Sequence, residues 1–208
     1  MLSAGKQVGA PISLVHIVSF VSKSLAFEWM VAGLQQRGYN LAFVLLHQEE
    51  TDFELFLRSK DVTVYRVSYR GKPDLPAALF SVFRILRKYR TGIVHCHLFD
   101  ACIIGLPVAW ALGIRKRIYT RHNSTLHHVY FPRAVYYDKF INTVATTILA
   151  ISERVKKVLI EDERVLEKKI FLLHHGFDLT QFEKVSEEKV TDLFRRYKLD
   201  QNRGPVIG

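Results

Sequence analysis

The sequence predicts an α/β protein: a parallel sheet of about seven strands flanked by helices. From Ser13 onwards, short β-branched apolar runs alternate with longer amphipathic ones, as in successive βαβ units. The apolar runs lack polar alternation, as strands covered on both faces do. The 208 residues, 49% hydrophobic and 24% charged, have a globular composition that excludes disorder, collagen and a disulfide scaffold. At roughly 150 residues per domain, this length holds one domain and a fraction of another.

In chain order, strands are expected at 14–21, 41–46, 63–67, 92–97, 117–121, 147–151 and 169–174. Helices are expected at 24–37, 51–59, 75–89, 100–112, 132–143 and 153–161, and one more at 186–197. Gly38 closes the first helix and Gly113 the fourth, while Asp100 and Ser152 are placed to cap the fourth and sixth. Residues 1–12 read as a tail, 13–182 as one domain and 183–204 as a helix and linker. Residues 205–208 read as the truncated start of a second domain, because Val206 and Ile207 begin an apolar run that stops at once.

Two cysteines, Cys96 and Cys102, fit neither a redox pair nor a zinc finger and are too few for a secreted framework, which favours a reducing cytoplasm. The longest uncharged apolar stretch, 101–114, is short of the ~20 residues that span a bilayer. Residues 12–21 hold His16 and follow a single lysine, which fits a buried first strand better than a signal peptide. Thirty basic and 20 acidic side chains leave a net charge of +10, which points to a phosphorylated ligand, an anionic membrane or nucleic acid.

Ligands of open parallel sheets bind beyond the carboxyl ends of the strands, where loops and helix N-termini offer free N–H groups. The candidates there are Ser22 and Lys23 after the first strand, His97 ending the fourth, and Arg121, His122 and Asn123 at the fifth. Ser152 follows the sixth strand, and His175 and Gly176 follow the seventh. Seven of the nine histidines lie at or just past this edge; His95 is two residues inward of His97, and His16 lies well inside a strand. Such a crevice suits hydrogen bonding or proton transfer near neutral pH. Polar residues gather at strand ends in any case, but serine or asparagine would serve that need equally well.

His95, Cys96 and His97 carry metal-ligating atoms, yet alternation along a strand points Cys96 away from the other two, and zinc-type spacing is missing. No metal is expected. The loop 19–24 contains no glycine, which argues against a dinucleotide fingerprint; Lys23 and its neighbouring serines can still hold a phosphate or hydroxyl, or serve as a solvated cap. The helix near 79–89 gathers Arg84, Arg87 and Lys88 on one side, a face for anionic lipid or simply for water. Tyr130, Phe131, Tyr136 and Tyr137 follow the fifth strand, where they can line an acceptor groove, dip into a membrane or pack internally.

The segments VHIVSF, LQQRGYNLAFVLL, GIVHCHLFDACIIGLPVAWALGIRKRIYTRHNS, TTILAISERVKKVLIE and KIFLLHHGFDLTQF, in that order, resemble the N-terminal domain of family-4-like glycosyltransferases of the GT-B fold. The resemblance covers 13–182. It implies a Rossmann-like domain that holds a sugar acceptor, partnered by a C-terminal domain that holds the nucleotide-sugar donor. It further implies retaining transfer without a bound metal or other cofactor. By resemblance His122 is the active-site histidine beside the reacting sugar, His97, Arg121 and Asn123 are its neighbours, and His175-Gly176 matches an Asn-Gly turn near the domain interface. Two features depart from the pattern: the family's Gly-Gly loop after the first strand is replaced by 21–24, and its paired glutamates belong to the donor domain. Glu153 and Glu161 share that spacing by coincidence.

The expectation is therefore the acceptor-binding part of a cytoplasmic, peripherally membrane-associated glycosyltransferase of polysaccharide, lipopolysaccharide or glycolipid synthesis, inactive or nearly so alone. Its partners would be a glycan or glycolipid acceptor, a nucleotide sugar through the second domain, and an anionic membrane surface, with no nucleic acid. The alternatives are a basic module for nucleic acid or phosphate, against which stands the spread of charge over several helices, and a GT-B-like sugar-nucleotide epimerase or phosphorylase.

Overall fold

A computed structural model describes residues 12–177 and 186–198. The chain divides into two compact units, Met1–His175 and Gly176–Gly208. In the first, the strands are β1 (Ser13–Val18), β2 (Asn40–Leu46), β3 (Thr63–Val67), β4 (Ile93–His97), β5 (Lys116–Arg121), β6 (Thr147–Ala150) and β7 (Ile170–Leu172). The helices are α1 (Leu25–Gln36), α2 (Asp52–Ser59), α3 (Leu75–Lys88), α4 (Phe99–Ala111), α5 (Leu126–Tyr130), α6 (Ala134–Val144) and α7 (Glu153–Glu161).

All seven strands are parallel, in the order β3-β2-β1-β4-β5-β6-β7. The chain winds outward from β1 to β3, then returns to β4 at the other side of β1 and winds outward again. The direction of winding reverses between β1 and β4, and crevices form beyond the strand ends at such a reversal.

Parallel strands need crossover connections, and here these put helices on both faces. Leu14, Val18, Phe43 and Leu45 pack with Phe53 and Leu57 of α2 and Val31 of α1 on one face. Val15, Ile17, Val94 and Cys96 pack with α3, α4, α6 and α7 on the other. Helix α4 is apolar almost all round and buried, as a helix seated at the centre of a layer must be. A Cβ on its Gly105 would come within 2.5 Å of Ile17 Cδ1 and 2.6 Å of Cys96 Sγ, so only glycine lets α4 approach the sheet this closely.

Strand β1 stops at Val18 rather than 21, and β7 covers only the middle of the expected 169–174. Helix α4 begins one residue earlier than expected: Leu98, at φ 69°, stands at its N-cap and Asp100 lies inside the first turn, so Asp100 does not cap it. Ser152 does cap α7, accepting from Val155 N at 3.3 Å. Gly38 and Gly113 have positive φ just past their helices, as expected.

In the second unit, helix α8 (Glu187–Tyr197) is capped by Ser186, whose hydroxyl accepts from Lys189 N. The expected tail up to residue 11, the linker outside this helix and the start of a second domain at 205–208 lie outside the described residues.

Candidate functional site

Strand β5 ends at the crevice, and its alternation sends side chains to two different polar systems. Thr120 and His122 belong to the side of α1 and α2; Tyr119 and Arg121 belong to the side of α4 and α6.

On the first side His16 and His95 are register partners across β1 and β4, with His97 two residues further along the same face. His16 Nδ1 lies 3.1 Å from His97 Nε2, and His95 Nε2 lies 2.9 Å from Thr120 Oγ1. His16 stacks on Phe43, and His97 meets Phe27 edge-on with ring centres 4.8 Å apart. All three imidazoles are buried, and burial drives each towards the neutral form, His95 down to about 3 and His16 and His97 well below the ordinary range.

Among the described residues, His16 Nε2 is buried without a hydrogen-bond partner. An orphaned lone pair costs less than an orphaned N–H, so the proton of His16 sits on Nδ1 and is donated to His97 Nε2. His97 must then carry its own proton on Nδ1.

His122, half-buried one residue past β5, continues this series. Its ring centre is 6.1 Å from that of His97, and it stacks on His175 at 5.7 Å. Burial, and then the charge of His175, lower its pKa, leaving an imidazole that is neutral at pH 7. Five imidazoles, His16 of β1, His95 and His97 of β4, His122 past β5 and His175 past β7, thus run ring to ring towards the crevice, where His122 offers a neutral ring that can accept or donate a hydrogen bond.

On the second side Arg121 forms a fork-to-fork pair with Asp138 of α6, at 2.7 and 3.1 Å, and reaches Glu163 at 2.8 Å. Its Nε donates to the carbonyl of Asn123 at 2.8 Å. His127 Nδ1 donates to Asp138 at 2.7 Å and His128 Nε2 to Glu163 at 3.1 Å. Asn142 donates to Glu163 at 2.6 Å and accepts from the Tyr119 hydroxyl. A small cavity of about 30 Å³ lies between this network and His122, lined also by Leu98 and Phe99.

The structure therefore brings His97, His122 and His175 together. It places Arg121 on the opposite face, with its guanidinium engaged by two buried carboxylates, so Arg121 meets the crevice only by holding the Asn123 carbonyl. Asn123 itself is exposed. Ser22 and Lys23 are exposed in the loop after β1, where the Ser22 carbonyl accepts from Phe53 N at 2.8 Å. The Ser152 hydroxyl is taken up in capping α7. Gly176 is exposed and begins the second unit. Glu161 pairs with Lys157 on the outside of α7.

His16 is the residue that sequence reading passes over; only the register of β1 against β4 joins it to His95 and His97. The ligating atoms of these three lie within 4.8 Å of one another, a grouping able to hold a metal, while Cys96 faces α4 as alternation requires. Both thiols are buried and their pKa values pushed up, so neither is a nucleophile. His47 at the end of β2 is buried, its ring nitrogens without a hydrogen-bond partner among the described residues and its Nε2 3.9 Å from Glu54.

The profile described as Glycosyltransferase Family 4 matches residues 30–181. No curated protein matches the chain in sequence. Among solved structures, a glycosyltransferase from Rickettsia africae is 17% identical, with TM-score 0.66, covering 92% of this chain and 51% of that one. HepE from Anabaena in complex with UDP-glucose is 14% identical, with TM-score 0.71, covering 91% and 50%. The UDP-GlcNAc 2-epimerase of Methanocaldococcus jannaschii is 15% identical, with TM-score 0.64, covering 91% and 54%. The chain spans about half the length of each of these proteins.

Proposed function

Because the chain belongs to glycosyltransferase family 4, we propose that it is the acceptor-binding half of a retaining, hexosyltransferase-type enzyme that moves a sugar from a nucleotide donor to a glycan or lipid-linked acceptor. The observation that carries this reading is the neutral His122, half-buried at the end of β5 beside the point where the winding reverses. In the transfer, the bond from the anomeric carbon to the donor phosphate breaks with its electron pair leaving on the phosphate oxygen. The acceptor hydroxyl oxygen bonds to that carbon, and its proton passes to the departing phosphate.

His122 acts by hydrogen bonding to sugar hydroxyls and by presenting its backbone carbonyl to the positive charge that grows on the sugar ring. Neutrality suits this, since an imidazolium would repel that charge. His97 flanks the sugar, and the Arg121 clamp on the Asn123 carbonyl holds the turn bearing His122 in place. Lys23, Ser22, Ser152 and the His175-Gly176 turn are the remaining candidates for contacts at the crevice rim. No resident metal takes part. The donor half lies in a second domain, without which the chain transfers no sugar, and the setting is the cytoplasmic face of a membrane, in polysaccharide or lipopolysaccharide synthesis.

In a protein carrying both halves, His122→Ala is expected to lower kcat by about 100-fold or more while leaving nucleotide affinity nearly unchanged. Normal turnover in that variant would remove His122 from its role. A panel of nucleotide sugars separates this reading from that of an epimerase, which the likeness to UDP-GlcNAc 2-epimerases keeps in view: an epimerised nucleotide sugar without any glycosylated acceptor would overturn it.

A further inference from the structure

The connection from β5 to β6 is apolar on its outward side. Its inward side joins a polar cluster, His127, His128, Asp138 and Asn142, held by Arg121 and Glu163, to the buried apolar Ile141 and Val144 of α6. The outward side is aromatic: Tyr136 is 77% exposed and Tyr130 71%, with Val129, Phe131, Tyr137 and Phe140 also open to solvent. A helix face covered by water is ordinarily polar, and clustered apolar groups of this kind mark a surface that something else covers.

Charge selects what covers it. Arg133 and Lys139 stand exposed among the aromatics, and Asp138, the one acid in the sequence from 122 to 152, is buried. A two-fold pairing with a second copy would bring these cations against their own images. Tyrosine and phenylalanine interspersed with lysine and arginine instead match the boundary of an anionic bilayer, where rings sit among headgroups and cations meet lipid phosphates. Helix α6 lies beside α4 in the layer on the sheet's face. Its outward side is therefore part of the domain's surface, and at its inner margin Tyr137 meets Phe99, which lines the small cavity beside His122.

We propose that the outward side of α5 and α6 docks on an anionic lipid bilayer, with Tyr136, Tyr137 and Phe140 entering the interface and Arg133 and Lys139 engaging headgroup phosphates. The ion pairs beneath hold the two helices rigid, so the rings are presented without further ordering. This deepens the membrane setting of the proposed function and rests on that reading for its purpose, while its test is independent of any sugar transfer.

The 208-residue chain is sedimented with vesicles of phosphatidylglycerol and phosphatidylethanolamine, and with vesicles of phosphatidylcholine alone. Binding to the anionic vesicles, weakened by salt, is expected, with little to the neutral ones. The variant Tyr136→Ser/Tyr137→Ser/Phe140→Ser should lose about tenfold or more in partitioning, with unchanged circular dichroism and melting. Arg84→Ala/Arg87→Ala on α3 should retain binding within about twofold. Failure to sediment with anionic vesicles, an unaffected triple variant, or an equal loss from the α3 variant overturns the proposal. A dimer in ultracentrifugation that the triple variant converts to monomer overturns it in favour of a second copy. Any of these leaves the role of His122 untouched, since that stands or falls on turnover.

Discussion

The two polar systems on either side of β5 solve the burial of titratable groups in opposite ways. The imidazoles of His16, His95 and His97 meet rings and a hydroxyl, and burial, together with their crowding on one another, keeps them neutral. Across the strand, Asp138 and Glu163 share Arg121 and take further hydrogen bonds from His127, His128 and Asn142. One system avoids charge and the other neutralises it. The neutral one runs to the crevice beyond the strand ends; the charged one ties α5 and α6 to the end of β5.

The largest test of this contrast is Arg121→Met, which leaves two carboxylates buried without their cation. A loss of about 3–5 kcal/mol in denaturant unfolding is expected; a loss below about 1 kcal/mol would mean that water or the two imidazoles already compensate.

A smaller effect should come from acid on the other side. His95 has its ordinary value near 6.5 when unfolded and about 3 when folded, so below 6.5 the unfolded chain binds a proton that the folded chain refuses. Its stabilising contribution is complete above that value and falls away as pH drops towards 3, costing on the order of 2 kcal/mol by pH 5. His95→Gln should flatten the loss of stability between pH 7 and pH 5. An unchanged slope would place the neutral state of His95 in doubt.

The most delicate test moves one proton. In ¹⁵N-edited NMR at neutral pH, both His16 and His97 are expected as Nδ1–H tautomers, and His16→Phe should release His97 from that preference, with little effect on stability. A signal from His97 bearing its proton on Nε2 would reverse the donor and acceptor of this pair.

Much of this was legible beforehand. The alternation of short β-branched and long amphipathic runs located every strand and all the helices but α5, because burial on both faces leaves its mark on composition. The end of β1 differs because Phe20 and Val21 continue the apolar run past Ser19, whose hydroxyl turns to accept from Ala101 N. The edge histidines announced the crevice, but His16 read as a core residue, and its partnership with His97 rests on a register across 81 positions of sequence. Arg121 and His122 read as joint candidates at the crevice; alternation by a single residue sends the Arg121 guanidinium to the other face, against Asp138 and Glu163, which sequence spacing does not show.

The sequence by itself determined the class of fold, the edge of the sheet where the histidines gather and the surplus of positive charge, since these follow from local pattern and from sums over residues. Only the tertiary structure decided which polar groups share a face and which are answered by opposite charge. It also decided which apolar side chains are left facing outward on α5 and α6, because each of these depends on partners brought together from distant parts of the chain.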